Sequence, residues 1–136
     1  CGRYEQLALA FSISCEDEWW RVHNQPYGGA DSYDFTLEPR SIESFASKCH
    51  QLQTSPDSGF VRAIVCSRYR PDGLVILRGA VLREVTNGRL AARTITDAGD
   101  YLHVLAHHFD LAPAGRDTLW PIVQAQHAAW MASQAG

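Results

Sequence analysis

The sequence predicts an α+β fold: antiparallel, partly barrel-like strands, then a helix, a three-stranded meander and closing helices. Three observations carry that expectation. Strand-like and helix-like segments are segregated along the chain rather than alternating, which argues for an antiparallel sheet. Asn87-Gly88 stands between two apolar runs and is the strongest short hairpin signal, because both residues tolerate the positive φ of a type I′ turn. Residues 42–52 and 98–109 space their apolar side chains at helical intervals.

Taken in order, residues 7–14 alternate Leu7, Leu9, Phe11 and Ile13 on one face, a half-buried strand. Glu16-Asp17-Glu18 turns the chain into a second strand at residues 19–23, rich in tryptophan. Pro26 and Gly28-Gly29 mark a loop before a third strand at residues 33–37, which Pro39 stops because it has no N–H to donate. Ser41 caps a helix whose stripe is Ile42, Phe45, Ala46, Cys49 and Leu52, with Glu43 near its positive end. Residues 60–69, 74–84 and 89–95 form the meander, joined by Pro71-Asp72-Gly73 and by Asn87-Gly88. Thr96 caps a helix at 97–109 with Ala98, Leu102, Leu105 and Phe109 inward, and Pro121 opens the last helix in its first turn.

A chain of 136 residues suits one domain able to bury about 70% of its unfolded surface. An apolar share of 46% and a charged share of 20% are those of a globular protein. No run approaches the roughly 18 apolar residues of a membrane helix, so no membrane partner is expected. The net charge of −3, with arginines scattered among acids, gives no stripe for nucleic acid. The chain begins at Cys1 and its only methionine is Met131, so a processed, excised or truncated polypeptide is expected. Cys1, Cys15, Cys49 and Cys66 lack Cys-x-x-Cys spacing, and we expect four reduced thiols in a cytoplasmic protein, with no metal.

The candidate chemistry is sparse. His103 and His107 are four residues apart on a helix but project toward solvent, with no third ligand near in sequence, while His108 flanks the stripe as a partly buried residue. Cys49 and His50 project about 100° apart, and Cys49 points into the stripe, where burial blunts a thiol. Cys1 could use its own α-amine as a base, but it precedes the first expected strand by several residues. No phosphate-binding glycine loop is present. The segment Thr54-Ser55-Pro56-Asp57-Ser58-Gly59-Phe60 offers hydroxyls, backbone amides and an aromatic ring between a helix and a strand. Such a segment can hold phosphate oxygens without a cation; its composition is equally that of an ordinary turn.

Several segments, in this order, resemble the C-terminal half of the arylamine N-acetyltransferases. They are Tyr33, Phe35-Thr36-Leu37, Pro39-Arg40, Ile42 to Phe45, Leu52-Gln53-Thr54-Ser55-Pro56 with Ser58 and Phe60, Pro71-Asp72-Gly73, Leu77, Gly79, and Thr96 through Phe109-Asp110-Leu111. Asp110 departs from the glycine usual in the family. The resemblance implies an acetyl transfer from acetyl-CoA to an aromatic amine, hydrazine or N-hydroxyarylamine, through a Cys-His-Asp triad in a ping-pong course. None of the four cysteines has the family's Arg-Gly-Gly-x-Cys context, so no catalytic residue carries over and the missing N-terminal half is an implied partner.

What carries over is the cofactor side: Gln51, Thr54, Ser55, Asp57, Ser58, Gly59 and Phe60 match the family's coenzyme A loop, with Asp57 an acid where phosphate would be repelled. The resemblance also divides the chain into 1–40, the end of a β-rich middle domain, and 41–136, an α/β lid with C-terminal helices. Two other readings stand beside it. One is a non-catalytic coenzyme A-binding or structural remnant, the other an N-terminal-nucleophile hydrolase using Cys1.

Overall fold

The structure, a computed structural model, describes residues 1–7, 9–27 and 29–134. Two four-stranded antiparallel sheets account for its β-structure. The first runs β1 (Gly2–Gln6), β2 (Leu9–Glu16), β3 (Trp19–His23), β4 (Ser32–Phe35), each strand beside its neighbour in sequence. A 3₁₀ turn (Ile42–Phe45), α1 (Ala46–Thr54) and a single turn, α2 (Gly59–Arg62), lead into the second sheet. That sheet is β5 (Val65–Arg70), β6 (Gly73–Arg78), β7 (Val81–Thr86) and β8 (Arg89–Thr94), followed by α3 (Ala98–Phe109) and α4 (Arg116–Gln134).

The α+β class is as expected, and several elements differ. β1 was not foreseen, because Gly2-Arg3-Tyr4-Glu5-Gln6 is exposed at every position and shows no apolar alternation. The strand expected over 7–14 is shifted to Leu9–Glu16: Leu7 lies at φ 51° in the turn that brings Gln6 opposite Leu9, and Ala8 lies outside the described residues, as does Gly28 of the expected loop. Residues 60–69 are not one strand, since Ser58 accepts from the Phe60 N–H and starts α2 before β5. Residues 74–84 are two strands, so the meander has four members. Gly79, at φ 54°, reverses the chain and sets Arg78 opposite Val81.

That reversal was hidden by burial. Gly73 and the four residues after it in β6 are all buried, because both faces of the strand are covered. On one face Val75 and Leu77 join Leu82, Ile95, Tyr101, Val104, Leu105 and Val123, the core under α3 and α4. On the other, Leu74, Ile76 and Val85 pack with Leu9, Phe11 and Tyr27 of the first sheet and its following loop. A strand enclosed on two sides reads as an unbroken apolar run, without the period-two alternation that marks its end. The Tyr27 hydroxyl adds a bond to the Gly88 carbonyl at 3.1 Å, tying that loop to the expected Asn87-Gly88 hairpin.

The helices are also rotated or shifted. Asp97, not Thr96, caps α3, accepting from the Asp100 N–H at 2.9 Å. Its buried face is Tyr101, Val104 and Leu105, with Leu102 and Phe109 alongside and Ala98 exposed. Asp97→Ala should lower stability by about 1 kcal/mol in a urea titration, the usual worth of an N-cap; an unchanged midpoint would show the cap to be idle. Asp110 closes α3 in the left-handed region, φ 57° and ψ 35°, where glycine is the residue of least strain, and its carboxylate is held by Arg68 at 2.5 Å. Pro121 lies inside α4 rather than opening it, since the helix already begins at Arg116.

The stripe on α1 differs most from expectation. Ser41 makes no side-chain capping bond, and Ile42 and Phe45 belong to the 3₁₀ turn. Ile42 is 81% exposed, Phe45 58%, and Cys49 is exposed too, so among the described residues only the Leu52 end of the apolar face is partly covered. Cys49 is therefore not the buried thiol that its spacing predicted.

Candidate functional site

The loop from α1 to α2 is organised by its own hydroxyls. Ser58 is buried, donates to the Leu52 carbonyl at 2.6 Å and accepts from the Phe60 N–H at 3.2 Å. Its single proton is thereby committed inside the protein. Thr54 donates to the His50 carbonyl at 2.8 Å, one turn back along α1. Ser55 accepts from the Asp57 N–H at 3.3 Å, which leaves its own proton available, and its backbone accepts from the Ser58 N–H. Gln51 faces solvent beside Lys48, whose ammonium donates to the amide oxygen at 2.9 Å.

Gly59 opens α2, where the first N–H groups of any helix lack an internal acceptor. Phe60 stands 76% exposed beside it. Asp57 is not a bare acid: Arg62 sits 3.6 Å from its carboxylate, both side chains largely in water, so the pair is weak but the local charge is balanced. Of the seven expected residues, Gln51 and Thr54 stand on α1, Ser55, Asp57 and Ser58 on the connecting loop, and Gly59 and Phe60 on α2. Ser55, Gly59 and Phe60 present free chemistry, while Ser58 and Thr54 hold the loop's shape. Arg62 and Lys48 were not anticipated; an arginine five positions after an acid across a one-turn helix was the available signal.

The catalytic candidates do not assemble here. Among the described residues no cysteine sulfur bonds to a histidine: Cys49 accepts from Gln53 Nε2 at 3.1 Å, and Cys15 meets the Asp17 carbonyl at 3.5 Å. Cys66 is half-buried and burial pushes its thiol up. Cys1 is exposed and stands directly before β1, closer to a strand than expected, yet it lines neither of the surface cavities found. His103 and His107 are exposed, their rings stacked 5.5 Å apart. His108 is partly buried against Arg70 and Glu84, and burial holds its imidazole below the usual range against the pull of Glu84. No group of three or more His, Cys, Asp or Glu able to hold a metal occurs among the described residues, and no described helix is long and apolar enough to cross a membrane.

The architecture is that of solved acetyl-transfer enzymes. The Mycobacterium smegmatis arylamine N-acetyltransferase shares it with a TM-score of 0.75 at 20% identity, over 91% of this chain and 47% of that one. The Mycobacterium marinum arylamine N-acetyltransferase in complex with CoA gives 0.74 at 16% identity, over 90% of this chain and 47% of that one. At such identities the likeness establishes the fold alone. A family model described as N-acetyltransferase matches residues 6–116, and the chain belongs to the arylamine N-acetyltransferase family.

Curated relatives match over shorter spans. A pineal gland isozyme from Gallus gallus is 49% identical over 53 residues, 39% of this chain and 18% of the relative. Arylamine N-acetyltransferase 2 of Mesocricetus auratus is 35% identical over 97 residues, 58% of this chain and 33% of the relative. The chain thus spans under half of these solved relatives and a third or less of these curated ones.

Proposed function

We propose that this chain is the C-terminal portion of an arylamine N-acetyltransferase that moves acetyl from acetyl-CoA to an aromatic amine or hydrazine in the cytoplasm. The match of the N-acetyltransferase family over residues 6–116 carries the reading. In it, residues 1–40 end a β-rich middle domain and residues 41–136 form the lid. The triad of cysteine, histidine and aspartate belongs to a preceding half. There the histidine takes the thiol proton, the aspartate orients the imidazole, and an acetyl-thioester forms before the amine attacks.

The part of this chain is to bind and position. Gln51, Thr54, Ser55, Asp57, Ser58, Gly59 and Phe60 face coenzyme A: Ser55 and the Gly59 N–H toward its oxygens, Phe60 along its apolar arm, Ser58 and Thr54 holding the loop. A relative captured with CoA supports the ligand class. The uncovered Ile42 and Phe45 support a second half seated against them, since wet apolar surface of this kind marks an interaction site.

The test is reconstitution. Joined to the segment that precedes the matching region in a relative, the chain should acetylate an aniline from acetyl-CoA, while alone it should not. Turnover by the isolated chain, or a joined protein that folds but forms no acetyl-thioester, would overturn the proposal.

A further inference from the structure

Away from the loop's Ser55 and Phe60, a cavity of about 640 Å³ lies where α4 passes the β6–β7 turn. Its wall gathers Arg62 from α2, Arg78 from the end of β6 and Arg83 from β7, with Gln126, His127 and Trp130 from α4 opposite. Strand register sets the two sheet arginines side by side. Arg78 pairs with Val81 and Ile76 with Arg83, so Arg78, Val81 and Arg83 share the sheet face that carries Leu74, Ile76 and Val85 further along. There the first sheet covers the apolar members and leaves both arginines exposed.

Three arginines therefore line one cavity that no carboxylate lines, in a chain whose net charge is −3. Neither Arg78 nor Arg83 has an acidic partner among the described residues. Arg62 has only its weak, exposed pair with Asp57. Like charges brought together without counter-charge repel one another, and a bound anion removes that repulsion. Guanidinium forks match phosphate oxygens two at a time. Gln126 stands on the α4 wall, its side-chain oxygen buried with no donor among the described residues. His127 and Trp130, ring centroids 5.7 Å apart, give the cavity a flat aromatic side.

We propose that this cavity is a binding site for a phosphate ester, with Arg78 and Arg83 as its principal cation pair and Arg62 linking it to the α1–α2 loop. The proposal does not depend on the acetyl-transfer reading. Coenzyme A and other phosphate esters share the chemistry, and the test separates them.

The whole chain, labelled with ¹⁵N, is titrated with inorganic pyrophosphate while the indole N–H resonance of Trp130 is followed. A saturable shift is expected, absent with sodium chloride of equal ionic strength. Replacing both Arg78→Ala and Arg83→Ala should weaken it at least tenfold. The Arg78→Lys, Arg83→Lys pair keeps the charge and should lose less, and Arg3→Ala on β1 should lose nothing. Both arginines are exposed, so circular dichroism should show every variant folded. No saturable shift, or one unchanged in the double alanine variant, overturns the site.

A competition arm then adds coenzyme A, and separately the form lacking its 3′-phosphate, to the pyrophosphate complex. Displacement by the first and at least tenfold weaker displacement by the second assigns the cavity to the cofactor's phosphate end. Pyrophosphate binding that coenzyme A cannot displace upholds a phosphate site for another ester and counts against the coenzyme A reading instead.

Discussion

Replacing Gly73 with alanine should unfold the second sheet or cost it about 3 kcal/mol or more, the scale of an unrelieved backbone clash in a packed interior. A Cβ at this position would lie 2.0 Å from the Val85 carbonyl oxygen and 2.9 Å from its carbon, distances that no rotamer can relieve because both partners are main chain. The strands cannot simply part. Gly73 pairs with Thr86 and Leu74 with Val85, and Leu74 and Val85 sit together in the core that joins the two sheets. Gly59 supplies the control, since a Cβ there meets nothing within 4 Å. Urea midpoints of Gly73→Ala and Gly59→Ala, taken together, check the claim. A Gly73→Ala protein within 1 kcal/mol of its parent would mean that this ladder can shift.

Two substitutions at Tyr101 should differ widely in their effect on stability. The ring is fully buried between α3, α4 and the sheet, its centroid 5.4 Å from that of Trp120, while its hydroxyl finds no partner among the described residues. Tyr101→Ala empties the centre of the core and should cost about 3–5 kcal/mol. Tyr101→Phe keeps the ring and removes a polar atom that is buried unpaired, so it should be neutral or stabilising by up to about 1 kcal/mol.

The same phenol gives a pH test. Burial, then the neighbouring Cys66, pushes its pKa up to about 12 from an ordinary 10. Between those values the unfolded chain sheds a proton that the native protein keeps, so this residue's contribution is intact below pH 10 and lost as pH rises toward 12. The difference between the parent and Tyr101→Phe in chemical melts from pH 9 to 12 isolates it. Parallel curves would show that the hydroxyl ionises freely in the fold.

Where a single residue or pair fixes the geometry, the sequence was legible. Asn87-Gly88 makes the hairpin expected of it, with Thr86 facing Arg89, and the outward histidines of α3 are outward. Where burial on two sides erased alternation, as across residues 74–84, the turn at Gly79 could not be read. Nor could β1, whose residues contribute pairing but no apolar face. The stripe of α1 was visible as a pattern, but a pattern states only that a face is apolar, not what lies against it.

The sequence showed a polar connection after α1, but not that its last two residues, Gly59 and Phe60, begin the helical turn α2 rather than a strand. How its hydroxyls are spent was not legible either, because Ser58 and Thr54 turn inward to carbonyls that only the folded chain brings near. Asp110 shows the reverse case: its departure from the family's glycine made sense once α3 was seen to end in the left-handed region with Arg68 at hand.

Among the described elements, α1 keeps company chiefly with the 3₁₀ turn before it and the single turn of α2 after it. Nine residues are too few to hold a helix on hydrogen bonds alone in water. Whatever settles onto Ile42 and Phe45 therefore acts as a clamp at one end of a lever whose other end is the segment Ser58 staples to Leu52. Docking at that oily flank and order in the α1–α2 loop would then be two readings of one equilibrium.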